Sequence, residues 1–228
     1  MEYDDFGNKL KSLNDDALNS GSLKRYKDGY SPDDIWAVPS LGIDPTTGRE
    51  VFLKKNGQST FDYDYDDEAV VGSTRADIEG VFNTFFNYKG FNLGLNIRYR
   101  IGGQAFNTAL YEKVENISTA DITLNQDKRA LYDRWQEPGD ISQFKSISIT
   151  STTPISSRFV QDENVLIGES ISIGYRADSK PWLDALGLKN IRFTAYMSDI
   201  FRNSSIKVER GIQYPFARSI SFSINTSF

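Results

Sequence analysis

The side chains that usually carry covalent and metal chemistry are missing: the 228 residues include no histidine and no cysteine. This excludes a Ser-His-Asp triad, thiolate chemistry, disulfides and the usual zinc sites. Paired carboxylates stay open as an acid–base device, but no pair of acids stands in a context that singles it out. We therefore read the chain as a non-enzyme without a cofactor. The acidic run Asp62-Tyr-Asp-Tyr-Asp-Asp-Glu68 has a spacing close to that of calcium loops, yet lacks the glycine and closing glutamate of an EF-hand, and reads as a solvated loop. What remains is charge and amide chemistry in particular places. Asn92, Asn96, Arg98 and Arg100 share one parity of an otherwise apolar segment. Arg134-Trp135 lies in a polar stretch, where an indole suits stacking on a sugar or plain loop packing.

The elements that position these residues are strands. Phe91, Leu93, Leu95, Ile97, Tyr99 and Ile101 alternate without error against Asn92, Gly94, Asn96, Arg98, Arg100 and Gly102, the period of a strand with two different faces. The preceding run places Ile78, Gly80, Phe82, Thr84, Phe86 and Tyr88 on one parity, and Lys89-Gly90 between the runs is a tight-turn signal. Val165, Ile167, Ile171, Ile173 and Tyr175 mark a third strand, Ile191, Phe193, Ala195 and Met197 a fourth, and Phe216, Ile220, Phe222, Ile224 and Phe228 a fifth. The spacing predicts strands near 77–88, 91–102, 164–176, 190–199 and 216–228, paired in sequence order as an antiparallel meander.

Strands of about ten residues, apolar on one side and polar on the other, are what a transmembrane β-barrel requires. No stretch approaches the roughly 18 consecutive apolar residues of a membrane helix, and the mean hydropathy is −0.47, but alternating strands average away in such a measure. Aromatics at 13% of the chain are rich for a soluble domain and suit membrane girdles. On this reading Phe82, Phe86, Leu93, Leu95, Ile97, Ile171, Ile173, Phe193, Ile220, Phe222 and Ile224 face lipid. Asn92, Asn96, Arg98 and Arg100 face the lumen, lining a substrate path or forming salt bridges to a domain that fills it. Two arginines sit badly in a packed soluble core. A net charge of −5 without a basic run excludes nucleic acid as a natural partner. A soluble β-rich binding or adhesin module is the alternative reading.

The organisation expected along the chain has three parts. Residues 1–20 form a polar linker or loop, partly helical through Phe6, Leu10, Leu13 and Leu18. Residues 21–76 form an extracellular loop region with a small hairpin whose strand is Glu50 to Lys54. Residues 77–228 hold about five barrel strands, interrupted by a long loop at 103–163 with a short helical pattern near Gln126 to Asp133. Ser179 to Leu188 is expected to be a short turn around Trp182. The connections alternate short and long, as they do between the periplasmic and outer sides of such barrels, but closure takes about eight strands or more. Residues Met1 to Asn19 show neither the basic nor the apolar part of a signal peptide. Either the chain is soluble, or it is a piece of a longer protein that begins upstream.

Several strings decide between these readings. Ile35-Trp-Ala-Val-Pro-Ser-Leu-Gly-Ile-Asp-Pro-Thr-Thr-Gly-Arg-Glu-Val-Phe-Leu53 is the most specific. It is followed in order by Tyr88-Lys-Gly-Phe91 with Gly102-Gly103, Arg134-Trp-Gln-Glu-Pro-Gly-Asp140, Ser156-Ser-Arg-Phe-Val160 and Glu209-Arg-Gly-Ile-Gln-Tyr-Pro-Phe-Ala-Arg218. The ordered set resembles the C-terminal part of SusC/RagA-type TonB-dependent transporters of the Bacteroidetes outer membrane. The resemblance implies an all-β fold, the C-terminal meander of a 22-stranded transmembrane barrel with long extracellular loops and an internal plug. It also implies uptake of glycans or oligopeptides together with a SusD-like surface lipoprotein, and energy delivered through TonB to a more N-terminal part. The outer-membrane lipid and the barrel-assembly machinery complete the implied partners, with Phe228 as the assembly signal. Lacking plug and most strands, the chain by itself is expected not to transport. If Phe228 is that signal, its deletion from the complete protein lowers the outer-membrane level and leaves protease-sensitive periplasmic chains at unchanged expression. Fractionation checks this, and normal membrane abundance would refute it.

Overall fold

The computed structural model describes residues 2–3, 8–19, 21–118, 120, 123, 126–206 and 218–228. The described residues form two compact units, one from within 1–75, 103–162 and residue 206, the other from 76–102, 163–205 and 218–228.

The second unit is a five-stranded sheet: β1 (Ile78–Tyr88), β2 (Phe91–Ile101), β3 (Val165–Asp178), β4 (Asn190–Ser204) and β5 (Ile220–Ser227). Every neighbour pair is antiparallel and the strands lie in sequence order, the all-β meander that the alternation predicts. β4 runs past the expected end to Ser204 and β5 begins at Ile220; the expected strand residues 216–217 lie outside the described residues. The Lys89-Gly90 turn has φ of 47° and 91°, the left-handed pair that matches the twist of a two-residue hairpin. Gly90 is required twice over, because a Cβ there would sit 2.4 Å from the Arg176 carbonyl oxygen. β3 passes to β4 through one helical turn, Pro181–Asp184, pinned by fully buried Leu183.

The strands are not regular throughout. On β3, Gly168 stands opposite Ile97 and Phe201, and Ser170 opposite Asn96 and Ser198, so Glu169 is bulged out against β2. On β4 the same irregularity passes over Asp199 and Ile200, and Asp199 takes a φ of 51°. An inserted residue reverses the facing of all that precedes it. This corrects the grouping of Val165 and Ile167 with Ile171, Ile173 and Tyr175. Val165 pairs with Arg100 and Ile167 with Arg98, on the polar face, while Leu166 joins Tyr99 on the apolar one.

Two glycines in the sheet are roofed by aromatic rings from the neighbouring strand. A Cβ on Gly80 would lie 2.6 Å from the Tyr99 hydroxyl, and one on Gly168 2.6 Å from the Phe201 ring. Gly80 pairs with Tyr99 and Gly168 with Phe201 in register, so each ring covers backbone that a glycine would otherwise leave bare.

The first unit is assembled from short pieces. A helix, Asn8–Asn19, precedes the pair Asp34–Ala37 and Ala69–Ser73 and a three-stranded sheet of Ser40–Ile43, Glu50–Leu53 and Ser59–Thr60. The expected hairpin strand at Glu50 is the centre of that sheet. Segment 103–162 supplies the pair Gln104–Phe106 and Val160–Asp162, helical residues Thr108–Glu115 and a helical turn at Arg129–Tyr132. Leu110, Val114, Ala130, Phe144 and Phe159 form its core.

The ring-over-glycine pairing at the bulge is testable by a double-mutant cycle. Gly168→Ala is expected to destabilise the folded sheet by about 1–3 kcal/mol through overpacking. Combined with Phe201→Ala it should cost less than the sum of the single changes, by denaturant unfolding. Strict additivity would refute the pairing.

Candidate functional site

The sheet carries two chemically opposite faces. On one, cross-strand pairs run Phe82 with Ile97, Phe86 with Leu93, Leu95 with Ile171, Leu93 with Ile173, Phe193 with Ile224, and Ala195 with Phe222. Together with Ile220, which pairs with Met197, this brings all eleven expected lipid-facing residues, named above, onto a single surface. It is bare: Phe82 is 56% exposed, Ile224 65% and Phe222 79%. Leu95, Ile97 and Ile171 at its centre are half-buried. Water-soluble monomers seldom expose contiguous apolar patches beyond a few hundred Å². Phe228 follows β5 and is 79% exposed.

The other face gathers Asn92, Asn96, Arg98 and Arg100. Arg98 Nε donates to Glu169 Oε1 at 2.6 Å, Arg100 Nη1 lies 3.4 Å from Glu163 Oε2, and Arg202 Nη2 lies 4.0 Å from Glu163 Oε1. Asn96 Nδ2 donates to Ser170 Oγ at 2.7 Å. Asn92 lies over Gly174, where a Cβ would come within 2.4 Å of its Oδ1. Arg98 thus finds a carboxylate on β3, and Arg100 one in the two-residue link just before it. With Glu79 and Arg202 they line a concavity of about 480 Å³, whose floor includes Val165 and Ile167. Sequence reasoning missed Glu169 and Glu163 as their partners, and Arg202 as a third cation beside Glu163. The available signal was Gly168 beside an acid inside an apolar run, which marks a bulge.

In the first unit the motif strings converge on a buried ionic network. Arg158 Nη2 reaches Glu50 Oε2 at 2.9 Å and Glu115 Oε1 at 2.6 Å. Ser156 Oγ donates to Glu50 Oε1 at 2.5 Å and Thr153 Oγ1 to Glu115 Oε1 at 2.9 Å. Burial works against the Arg158 charge, but the hydrogen bonds and charges of Glu50 and Glu115 outweigh it and hold the guanidinium above its ordinary value. Lys145 is buried beside them and donates from Nζ to Ser151 O at 2.6 Å and Asn116 Oδ1 at 3.3 Å. Burial lowers its ammonium, against the opposing pull of Glu115.

Arg134 belongs to this interior. It is 7% exposed and donates to the carbonyls of Ala130, Lys145 and Val114. Burial lowers its pKa. Three of its five donors are engaged in this way, and the buried guanidinium holds three segments together. Trp135 is half-buried, lies flat against Gly48 and donates from Nε1 to Pro45 O at 2.8 Å, while Gly139 N donates to the same carbonyl oxygen at 2.8 Å. The string around Arg134-Trp135 is therefore the packing partner of Ile43-Asp-Pro-Thr-Thr-Gly48. Both residues stand in packing, not at an open sugar-stacking surface. In the acidic run, Asp64 accepts from Asp66 N, Asp67 Oδ1 from Lys55 N, and Glu68 pairs with Arg25. Of the last motif string, Glu209 to Ala217 lies outside the described residues.

Five antiparallel strands in sequence order, apolar on one face and ionic on the other, define a segment of β-barrel that is open in this chain. No protein-family model matches the chain, and no curated protein matches it. Solved structures do. The RagAB peptide importer in its open-open state aligns with a TM-score of 0.71 at 18% identity, over 90% of this chain and 23% of that one. A RagAB peptide transporter structure aligns at 0.68 and 18% identity, over 89% and 24%, and the closed-closed importer at 0.63 and 16%, over 79% and 20%. The chain thus spans about a quarter of the length of the solved chains it resembles. Its fold is that of a partial barrel of a RagA-like transporter, in agreement with the resemblance read from the motif strings.

Removing the cation at the centre of the buried network strands two carboxylates. Arg158→Met is expected to cost about 3–5 kcal/mol, the penalty of breaking a buried pair on one side only. Limited proteolysis of the complete protein should then cut within 103–162 well before the strands. Unchanged resistance there would refute the role.

Proposed function

We propose that this chain is the C-terminal barrel portion of an outer-membrane importer of glycans or oligopeptides. In this reading the complete protein works with a SusD-like surface lipoprotein and is driven by TonB through a more N-terminal part. The observation that carries the reading is the two-faced sheet, with one continuous exposed apolar surface across five strands and a face of ion-paired charges and amides behind it. Such a sheet suits lipid on one side and a water-filled lumen on the other. The likeness to the RagAB importer supports the same reading at the level of fold. Uptake itself is proposed for the complete protein, the chain alone being expected not to transport.

Orientation follows from the connections. The tight turn at Lys89-Gly90 would lie in the periplasm. The opposite ends of β1 to β4, near Ile78, Ile101, Val165 and Ser204, would lie at the outer side, where residues 21–76 and the loop 103–163 belong. The concavity around Arg98, Arg100, Glu163 and Arg202 would then open toward the outer mouth of the lumen. Phe228 would sit at the periplasmic rim, where the barrel-assembly machinery meets the terminal strand.

Two arginine substitutions separate the faces. Leu95→Arg is expected to impair membrane insertion by about 2–4 kcal/mol, the cost of a charge on the lipid face near the midplane. Thr194→Arg should be mild, because Thr194 lies on the polar face beside Ser223, which would meet water in this reading. Heat-modifiability of the complete protein on gels reads both. Equal damage, or a chain that stays soluble without detergent, would overturn the assignment.

A further inference from the structure

The first unit holds a small pocket bordered by Arg49, Glu50, Phe61, Lys145, Ser151 and Thr153, with a volume of about 120 Å³. That is room for several waters, or for a carboxylate and the carbons next to it.

Its charges do not balance. Glu50 and Glu115 are both engaged by Arg158, while Lys145 and Arg134 are buried in the same network. That makes three cations against two anions in a water-poor interior. Carbonyl oxygens accept three of the Arg134 donors. Lys145 has three donors, and two of them are directed to Ser151 and Asn116. At the mouth stands a further cation. Arg49 is exposed, its guanidinium lies 4.9 Å over the Phe61 ring, and it has no ion pair among the described residues. An exposed guanidinium that engages no carboxylate has donors to offer a planar, bidentate acceptor. Neither the barrel reading nor the packing of the motif strings gives Arg49 a role.

We propose that this pocket binds a carboxylate, with the Arg49 guanidinium gripping its oxygens at the mouth and the Lys145 ammonium facing it from the floor. The group could come from the C-terminus of a peptide or from an acidic sugar, which share this chemistry. The inference concerns the first unit alone and stands apart from the importer reading.

The test uses the complete protein in detergent at constant ionic strength, with ¹³C-acetate as the probe and its line broadening as the readout. Saturable acetate binding is expected, weakened at least tenfold by Arg49→Gln and less by Arg49→Lys, which keeps the charge and loses the fork. Arg49 is exposed, so both variants are expected to fold. N-acetyl-L-alanine and glucuronate, used as competitors, separate the two sources: the one that displaces acetate identifies the group. Non-saturable binding, binding that Arg49→Gln leaves unchanged, tighter binding of inorganic phosphate, or displacement by neither competitor would overturn the proposal. A failure to insert in the membrane would leave it standing.

Discussion

Cross-strand register is the constraint on which the larger unit depends. A side chain in a sheet has only two directions, and moving a strand by one residue exchanges them. In this sheet the exchange would carry Leu93, Leu95 and Ile97 to the side of Arg98 and Arg100, and bring two guanidinium groups to the apolar surface. Register is fixed locally at two places. The Lys89-Gly90 turn sets β1 against β2, and the bulge at Glu169 sets the far halves of β3 and β4. Between them the pairing of ten residues of β3 with β2 holds the central ladder.

The bulge does more than bend a strand. By reversing the facing of Val165 and Ile167 it brings an apolar floor beneath Arg98, Arg100 and Arg202. It also frees Glu169, which has no opposite number on β2, to reach Arg98. The charges of this face are paired within the same unit: Arg98 with the bulged Glu169, and Arg100 and Arg202 sharing Glu163 just ahead of β3. Phe201 closes over Gly168 at the same level. One extra residue thus determines the composition of the polar concavity and the cover of the apolar face together.

The first unit rests on a different principle. Its elements are too short to hold one another by backbone pairing alone. Buried apolar side chains, among them Val38, Phe52, Val114 and Phe159, form its interior, and an ionic network ties the segments together. Arg158 joins the strand of Glu50 to the helical segment of Glu115, and Arg134 joins three carbonyls from three segments. Three of the five strings that make the sequence recognisable meet here, those of Glu50, Arg134 and Ser156 to Val160, which explains these residue types through packing.

The sequence by itself determined the five strands, their order and, outside the first half of β3, which parity is apolar, because period-two alternation is a local property and short turns force neighbours together. β2 is legible to within one residue, and so is the Lys89-Gly90 turn. The polar residues Asn92, Asn96, Arg98 and Arg100 could be placed on one face for the same reason. Only the tertiary structure decided their partners, since Glu163 and Glu169 lie across a long connection. The bulge was hidden because Val165, Ile167, Ile171, Ile173 and Tyr175 keep one parity in number while changing face in space. Segment 103–162 reads as loop because Leu110, Val114, Phe144 and Phe159 are scattered singly over short elements, and a core built from single residues has no period to detect. Arg134 and Trp135 could be seen to matter, but whether a guanidinium and an indole meet a solute or a carbonyl depends on what the chain brings beside them.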